Sequence, residues 1–204
     1  VTGPVTEWAS LAESCELFVG FGGLPLKNLQ IDPGGTGDHP SLAWLDKIRA
    51  SKVKFVCIGP VKSDGPGGLN VEWLHPRPGS DTAIMMGLAH TLVSEGLHDA
   101  EFLDRYTVGY DRFLPYLMGE TDGIVKDADW AAALSGLTAD TIRALARRMA
   151  AQRTMINATW SLQRGDHGEQ PFWMAIVLAA MLGAGPVADA FMLGRREVVA
   201  AFYD

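Results

Sequence analysis

At 204 residues, with 48% hydrophobic and 20% charged side chains, the chain has the composition of a globular protein able to bury a sizeable core. Its net charge of −7 comes without any run of lysine or arginine, which argues against a nucleic-acid partner. No stretch reaches the roughly 18 apolar residues that a membrane-spanning helix needs, and Cys15 and Cys57 form neither a CxxC nor a zinc spacing. In chain order, Val1 to Ser10 contains Glu7 and no basic run, so no signal peptide is expected. With the sparse cysteines, that favours a cytoplasmic location; a longer parent with its leader outside this segment would be compatible with the periplasm. Leu17 to Phe21 reads as a buried strand ending among Gly20, Gly22 and Gly23. Leu24 to Pro40 is polar and rich in Gly and Pro. Ser41 to Ala50 is an amphipathic helix with Leu42, Leu45 and Ile48 on one face. Val53 to Ile58, holding Cys57 as a small buried hydrophobe, is a second strand, and Val71 to Leu74 is a third. Strands joined by a helix of this length imply parallel pairing.

From Asp81 the pattern turns helical, with Ile84, Leu88 and Leu92 at i+4 until Gly96 stops the run. Short helical pieces follow around Phe102, Phe113 to Leu117 and Trp130 to Leu134. Thr138 is the expected N-cap of a helix whose apolar face is Ile142, Leu145, Ala146 and Met149. Arg143, Arg147 and Arg148 of that helix read as a solvated face. Thr154 to Thr159 is the fourth strand, and Pro171 to Leu182 a core-length helix. The expected fold is α/β: a doubly wound, mainly parallel, Rossmann-like sheet with a helical insertion. One domain spans residues 1–183, followed by an alanine-rich tail, 184–204.

In such a sheet ligands lie outside the carboxyl ends of the strands. Four segments in those positions combine glycine with cationic or amide donors: Gly22-Gly23-Leu24-Pro25-Leu26-Lys27-Asn28, Gly59-Pro60-Val61-Lys62, Arg77-Pro78-Gly79-Ser80-Asp81-Thr82, and Trp160 to Gln170. Together they suit an anionic cofactor. The nicotinamide fingerprint fails, because Pro25 stands where the third glycine should be, and no P-loop, G-x-S-x-G or HExxH occurs. Asp166, His167 and Glu169 are too close in sequence to converge on a metal, so no metal site is expected. His39, His75, His90 and His98 read as ordinary surface or core histidines. Asp81 suits a helix N-cap, and it also suits recognition of guanine, whose N1–H and N2–H2 edge offers two parallel donors to a carboxylate.

These segments, with Met86-Gly87-Leu88-Ala89-His90-Thr91-Leu92 and Glu95-Gly96-Leu97-His98-Asp99, resemble the dimethyl sulfoxide reductase family of molybdopterin oxidoreductases from about Leu17 to Gly183. Within it they look most like the branch of biotin sulfoxide and trimethylamine N-oxide reductases. The resemblance implies a bis(molybdopterin guanine dinucleotide) cofactor, gripped at its guanosine and diphosphate by a domain of this type. By that analogy Lys27 and Asn28 lie near ribose and phosphates, Pro60 and Lys62 near the nucleotide, and Asp81 on guanine, with Arg77 of the same loop as a further cofactor-binding residue. Ser161, Gln163, Arg164 and His167 would approach the diphosphate and pterin. Three features depart from the family. Gly59 replaces its usual polar residue, residues 184–204 read as unrelated, and the family's metal ligand has no counterpart here, so no catalytic residue is assigned.

Two readings follow. The chain is a cofactor-binding fragment of an S- or N-oxide reductase, with the cofactor and the parent's remaining domains as partners and no activity alone. Alternatively it is a non-catalytic α/β module, stand-alone or degenerate, free of cofactor and working through association. As an excised domain it should expose apolar surface at Phe172 to Met181 and in the tail, and self-associate.

Overall fold

The structure is a computed structural model and describes residues 8–24, 41–67 and 69–183. Lys27, Asn28, His39 and the tail 184–204 lie outside the described residues.

Four strands form one all-parallel sheet in the order β3–β2–β1–β4. They are β1 (Leu17–Phe21), β2 (Lys54–Ile58), β3 (Val71–Leu74) and β4 (Thr154–Ala158). Every residue of β1 and β4 is buried, which explains why both read as continuous apolar runs instead of alternating ones. Side chains still divide by the two-residue period of a strand. Leu17, Val19, Phe21, Val56, Ile58, Ile156 and Ala158 face the larger core, while Phe18, Phe55 and Met155 face the smaller one.

Helices cover both faces, as expected of a doubly wound sheet. The smaller core is closed by α1 (Trp8–Ser14) and α2 (Ser41–Arg49) through Leu11 and Ile48. Cys15 and Cys57 are both buried, and burial pushes each thiol up to about 11, so neither is a nucleophile at neutral pH. The larger core is closed by α3 (Asp81–Ser94), α7 (Ala139–Ala151) and α8 (Gln170–Met181). The insertion supplies α4 (Ala100–Tyr106), α5 (Tyr110–Leu117) and α6 (Ala128–Ser135). Before α6, the ammonium of Lys126 is 2% exposed; it bonds both Asp122 oxygens at 2.5 Å and lies 4.0 Å from the Tyr116 ring centroid.

The strands and the helices α2, α7 and α8 hold their predicted boundaries to within a residue, whereas α5 and α6 begin three and two residues before the expected Phe113 and Trp130; the punctuating residues fall where expected. Gly96, at φ 64, ends α3 with bonds from Leu97 N–H to Leu92 O (2.8 Å) and Gly96 N–H to Val93 O (3.0 Å), the paired closure of a Schellman motif. The Thr138 hydroxyl accepts from Thr141 N–H at 3.1 Å. The α7 arginines lie on the solvated face with carboxylate partners: Arg143 with Asp129 and Asp140, Arg147 with Glu95, and Arg148 with Glu72.

Two expectations need correction. α1 was not anticipated. The stretch Phe172 to Met181 is not an exposed apolar face either: Met174, Ala175, Val177, Leu178, Ala180 and Met181 are buried in the larger core, and only Trp173 is substantially exposed. Its apolar residues run all round the helix because both sides of it are covered. No helix among the described residues is long and apolar enough to cross a membrane.

Candidate functional site

The chain leaves β1 towards β2 and β3 on one side, and returns to place β4 on the other. The topological switch point therefore lies between β1 and β4, where a doubly wound sheet opens a crevice at its carboxyl edge. Backbone bonds carry the strand pairing one residue past each strand and knit the loops there together. Gly22 N–H donates to Ile58 O (2.8 Å), Gly59 N–H to Leu74 O (3.1 Å), Thr159 N–H to Phe21 O (3.0 Å) and Leu24 N–H to Asp64 O (2.7 Å). Gly22 and Gly23 both have positive φ, 82° and 83°. A Cβ at Gly22 would stand 2.1 Å from Thr159 Oγ1, and one at Gly23 2.5 Å from Asp64 O. The close approach of these loops thus requires glycine twice over.

Three of the four predicted segments meet along this edge in their described parts. Exposed Pro60 and Lys62 follow β2, where Lys62 Nζ lies 5.8 Å from the Trp73 ring centroid. Ser161, Gln163, Arg164 and His167 follow β4, all exposed, on a turn whose first half is the 3-10 segment Trp160–Arg164. That turn folds back so tightly that a Cβ at Gly168 would lie 2.3 Å from Gln163 O, and His167 adopts φ 51°. Ser161 and Thr159 share a hydroxyl–hydroxyl bond of 2.7 Å. Unlike the α7 arginines, Arg164 and Lys62 have no carboxylate partner among the described residues. Two cations without counter-ions among the described residues, at a glycine-lined sheet edge, suit an anion.

The fourth segment follows β3. Ser80, not Asp81, is the N-cap of α3, and its hydroxyl turns back to donate to Arg77 O at 2.6 Å. Asp81 is instead the first helical residue, 8% exposed. Burial pushes its carboxyl above the ordinary aspartate value; the single opposing influence is its own backbone N–H. A buried carboxylate at a helix N-terminus, with no donor from another residue among those described, is a strong acceptor left to be satisfied. Arg77 is turned elsewhere: its Nη1 donates to Ala133 O (2.8 Å) and Leu134 O (3.1 Å) at the end of α6.

Sequence reasoning missed two residues at this edge. Asn157 is 2% exposed on β4, opposite Gly20 of β1 across the switch point, and its Oδ1 has no partner among the described residues. The available signal was a lone amide in the apolar run Thr154–Ala158. Trp73, whose indole N–H donates to Gly59 O at 2.9 Å, fixes the loop after β2 from the neighbouring strand. Among the described residues, no three His, Cys, Asp or Glu side chains converge as metal ligands would. His167 and Glu169 come within 3.8 Å of each other with both side chains exposed.

A family model described as molybdopterin oxidoreductase matches residues 38–190. The chain is 44% identical over 178 residues to a dimethyl sulfoxide/trimethylamine N-oxide reductase of Rhodobacter capsulatus, covering 87% of this chain and 22% of that protein. It is 43% identical, with the same coverage, to a trimethylamine-N-oxide reductase of Haemophilus influenzae. A biotin sulfoxide reductase of Cereibacter sphaeroides is 44% identical over 85% of this chain and 23% of its own length. An acetylene hydratase from Pelobacter acetylenicus shares the fold with a TM-score of 0.68 at 18% identity, over 92% of this chain and 23% of that one. The chain thus spans under a quarter of these proteins. Sequence and geometry agree that it belongs to the molybdopterin oxidoreductase family, whose members are built around a molybdenum–molybdopterin cofactor.

Proposed function

We propose that this chain is the part of a molybdenum-dependent S- or N-oxide reductase that holds the guanosine diphosphate end of a bis(molybdopterin guanine dinucleotide) cofactor. The observation that carries this reading is Asp81, a buried carboxylate with no donor from another residue among those described. Guanine presents two parallel N–H donors that such a group accepts together; adenine presents no matching pair. Gly22 and Gly23 let the loops after β1, β2 and β4 close together at the edge where a diphosphate is proposed to lie, and Lys62 and Arg164, without a carboxylate partner among the described residues, supply positive charge beside it. Pro60, Ser161, Gln163 and His167 border the same edge, and Lys27 and Asn28 are proposed to join from the β1 loop. When bound, the cofactor supplies the two-electron chemistry that removes oxygen from a sulfoxide or N-oxide. This chain's own residues bind and orient it, and the parent's other domains are proposed as partners. The relatives' names point to dimethyl sulfoxide, trimethylamine N-oxide or biotin sulfoxide as the substrate class.

Titration calorimetry with GDP and ADP tests the reading. The wild-type chain should prefer GDP, each charge-assisted bond contributing about 1.5–3 kcal/mol at most. Asp81→Ala should erase the preference, and Asp81→Asn should weaken it by setting an amide donor against guanine's donors. Lys62→Ala and Arg164→Ala should lower affinity for both nucleotides alike. Equal affinities in the wild type, no binding of either nucleotide, or a GDP preference that survives Asp81→Ala would overturn it.

A further inference from the structure

A helix leaves the carbonyls of its last turn without intrahelical partners. In α6 these belong to Ala132, Ala133, Leu134 and Ser135. Ala132 O accepts from Gly136 N–H at 2.9 Å, and all three others are satisfied by one distant residue. Arg77 Nη1 donates to Ala133 O (2.8 Å) and Leu134 O (3.1 Å), and Arg77 N–H donates to Ser135 O at 2.7 Å. A guanidinium here also answers the negative end of the helix dipole. From Arg77 the chain turns through Gly79, at φ 78°, and closes on itself, since Arg77 O accepts from both the hydroxyl (2.6 Å) and the N–H (3.3 Å) of Ser80. Asp81 is the next residue. The turn presenting it is therefore fastened at its start to α6 and nowhere held by its own cap, since Ser80 makes no side-chain bond into α3.

We infer that Arg77 is a positioning residue for guanine selectivity: by tying off α6 it fixes the turn that places Asp81. The inference rests on the guanine reading of Asp81. It differs from a phosphate-binding role for Arg77, because the cation is spent on main-chain carbonyls of the insertion. Arginine suits the place because Nη1 carries two N–H donors in the fixed plane of the guanidinium, one for each carbonyl, while its own backbone bonds a third; the ammonium of a lysine turns freely on a flexible stem.

The test compares GDP and ADP binding to the full chain carrying Arg77→Ala, Arg77→Lys and Gly136→Ala. Gly136 closes α6 at φ 78°, so alanine there strains the helix end while keeping the arginine's charge, its Cβ meeting the guanidinium only in ordinary contact at 3.7 Å. Arg77→Ala and Gly136→Ala should each cut the GDP-over-ADP preference about tenfold, as the loss of one charge-assisted bond would. ADP affinity should hardly change, and Arg77→Lys should fall between. Hydrogen exchange supplies a readout free of nucleotide: the Ile84 amide, bonded to Ser80 O at 3.0 Å, should exchange faster in both alanine variants. A parallel loss for both nucleotides would make Arg77 a phosphate ligand and overturn the inference, as would an unchanged preference or unchanged exchange at Ile84. A wild type that fails to discriminate the nucleotides would instead remove the guanine reading itself, and this role with it.

Discussion

Asp81 bears two opposed electrostatic influences in the folded chain. The N-terminus of α3 favours its charged form by about 0.3–1 kcal/mol, while burial disfavours it, and burial wins because the carboxyl titrates above its ordinary value. The folded state thus binds the proton more tightly than the unfolded one. The resulting stabilisation is complete below the ordinary aspartate value of about 3.9 and is lost as pH rises through the elevated one. Asp81→Asn should therefore melt higher than the wild type at pH 7, by the equivalent of about 1 kcal/mol. The difference should shrink towards pH 4, and calorimetric scans across that range measure it. A variant less stable than the wild type at pH 7 would show that a bound donor already compensates the charge. GDP affinity should run the other way, falling as pH drops through the raised value, because a protonated carboxyl places a donor against guanine's donors. Asp81 stood out in the sequence as a carboxylate opening a helix, suited to an N-cap or to accepting two parallel donors. The duty of Arg77 did not, since the carbonyls it meets lie 56 and 57 positions downstream. Asn157 was hidden for a related reason: its unpaired oxygen is a property of its neighbours across the sheet.

Among the elements, α3 and α6 are set by a single glycine. A Cβ on Gly87 would stand 2.7 Å from Ala131 Cβ and 3.3 Å from Asp127 O, neither of which is a flexible tip. Alanine at Gly87 gains about 1 kcal/mol of helix propensity and should lose about 1–3 kcal/mol to overpacking, leaving a net destabilisation. Urea unfolding of Gly87→Ala measures it, and Ala131→Gly in the same chain should restore part of the loss. Stability at or above the wild type would mean the two helices are free to part. β1 and β2 were readable because their runs are short, largely apolar and followed by glycine, at Gly22 and Gly59. The α3 and α7 helices were readable from their 3.6-residue spacing and end signals. α1 was not: from Ala9 to Ser14 Leu11 alone is buried, so contact with α2, not local pattern, makes it a helix. The reading of Phe172 to Met181 as outward-facing failed because composition shows that a helix is apolar, but only topology shows that two layers enclose it.

For the molecule as a whole, most of the exposed large apolar side chains among the described residues fall at two places. One is the sheet's carboxyl edge, with Trp160 76% and Val61 48% exposed; the other is the insertion, with Val108, Ile124 and Val125. Sedimentation velocity over a range of concentrations should show self-association of the isolated chain, reduced by Trp160→Ser. A concentration-independent monomer would favour a self-sufficient module over a piece shaped by neighbouring domains. The strand order carries a further consequence, in time. β1 is central, yet its partner β4 begins only after Arg153, which bonds Glu16 across 137 positions of chain. A ribosome adding about 5–20 residues per second leaves the inner edge of β1 unpaired for several seconds at least. Such distant pairing also makes refolding slow, in the millisecond-to-second range. Pulse-labelled exchange during refolding should protect β1 and β2 amides facing each other before those shared with β4. In a cell, the newborn strand at the centre of the sheet is open to another chain's edge until β4 is made.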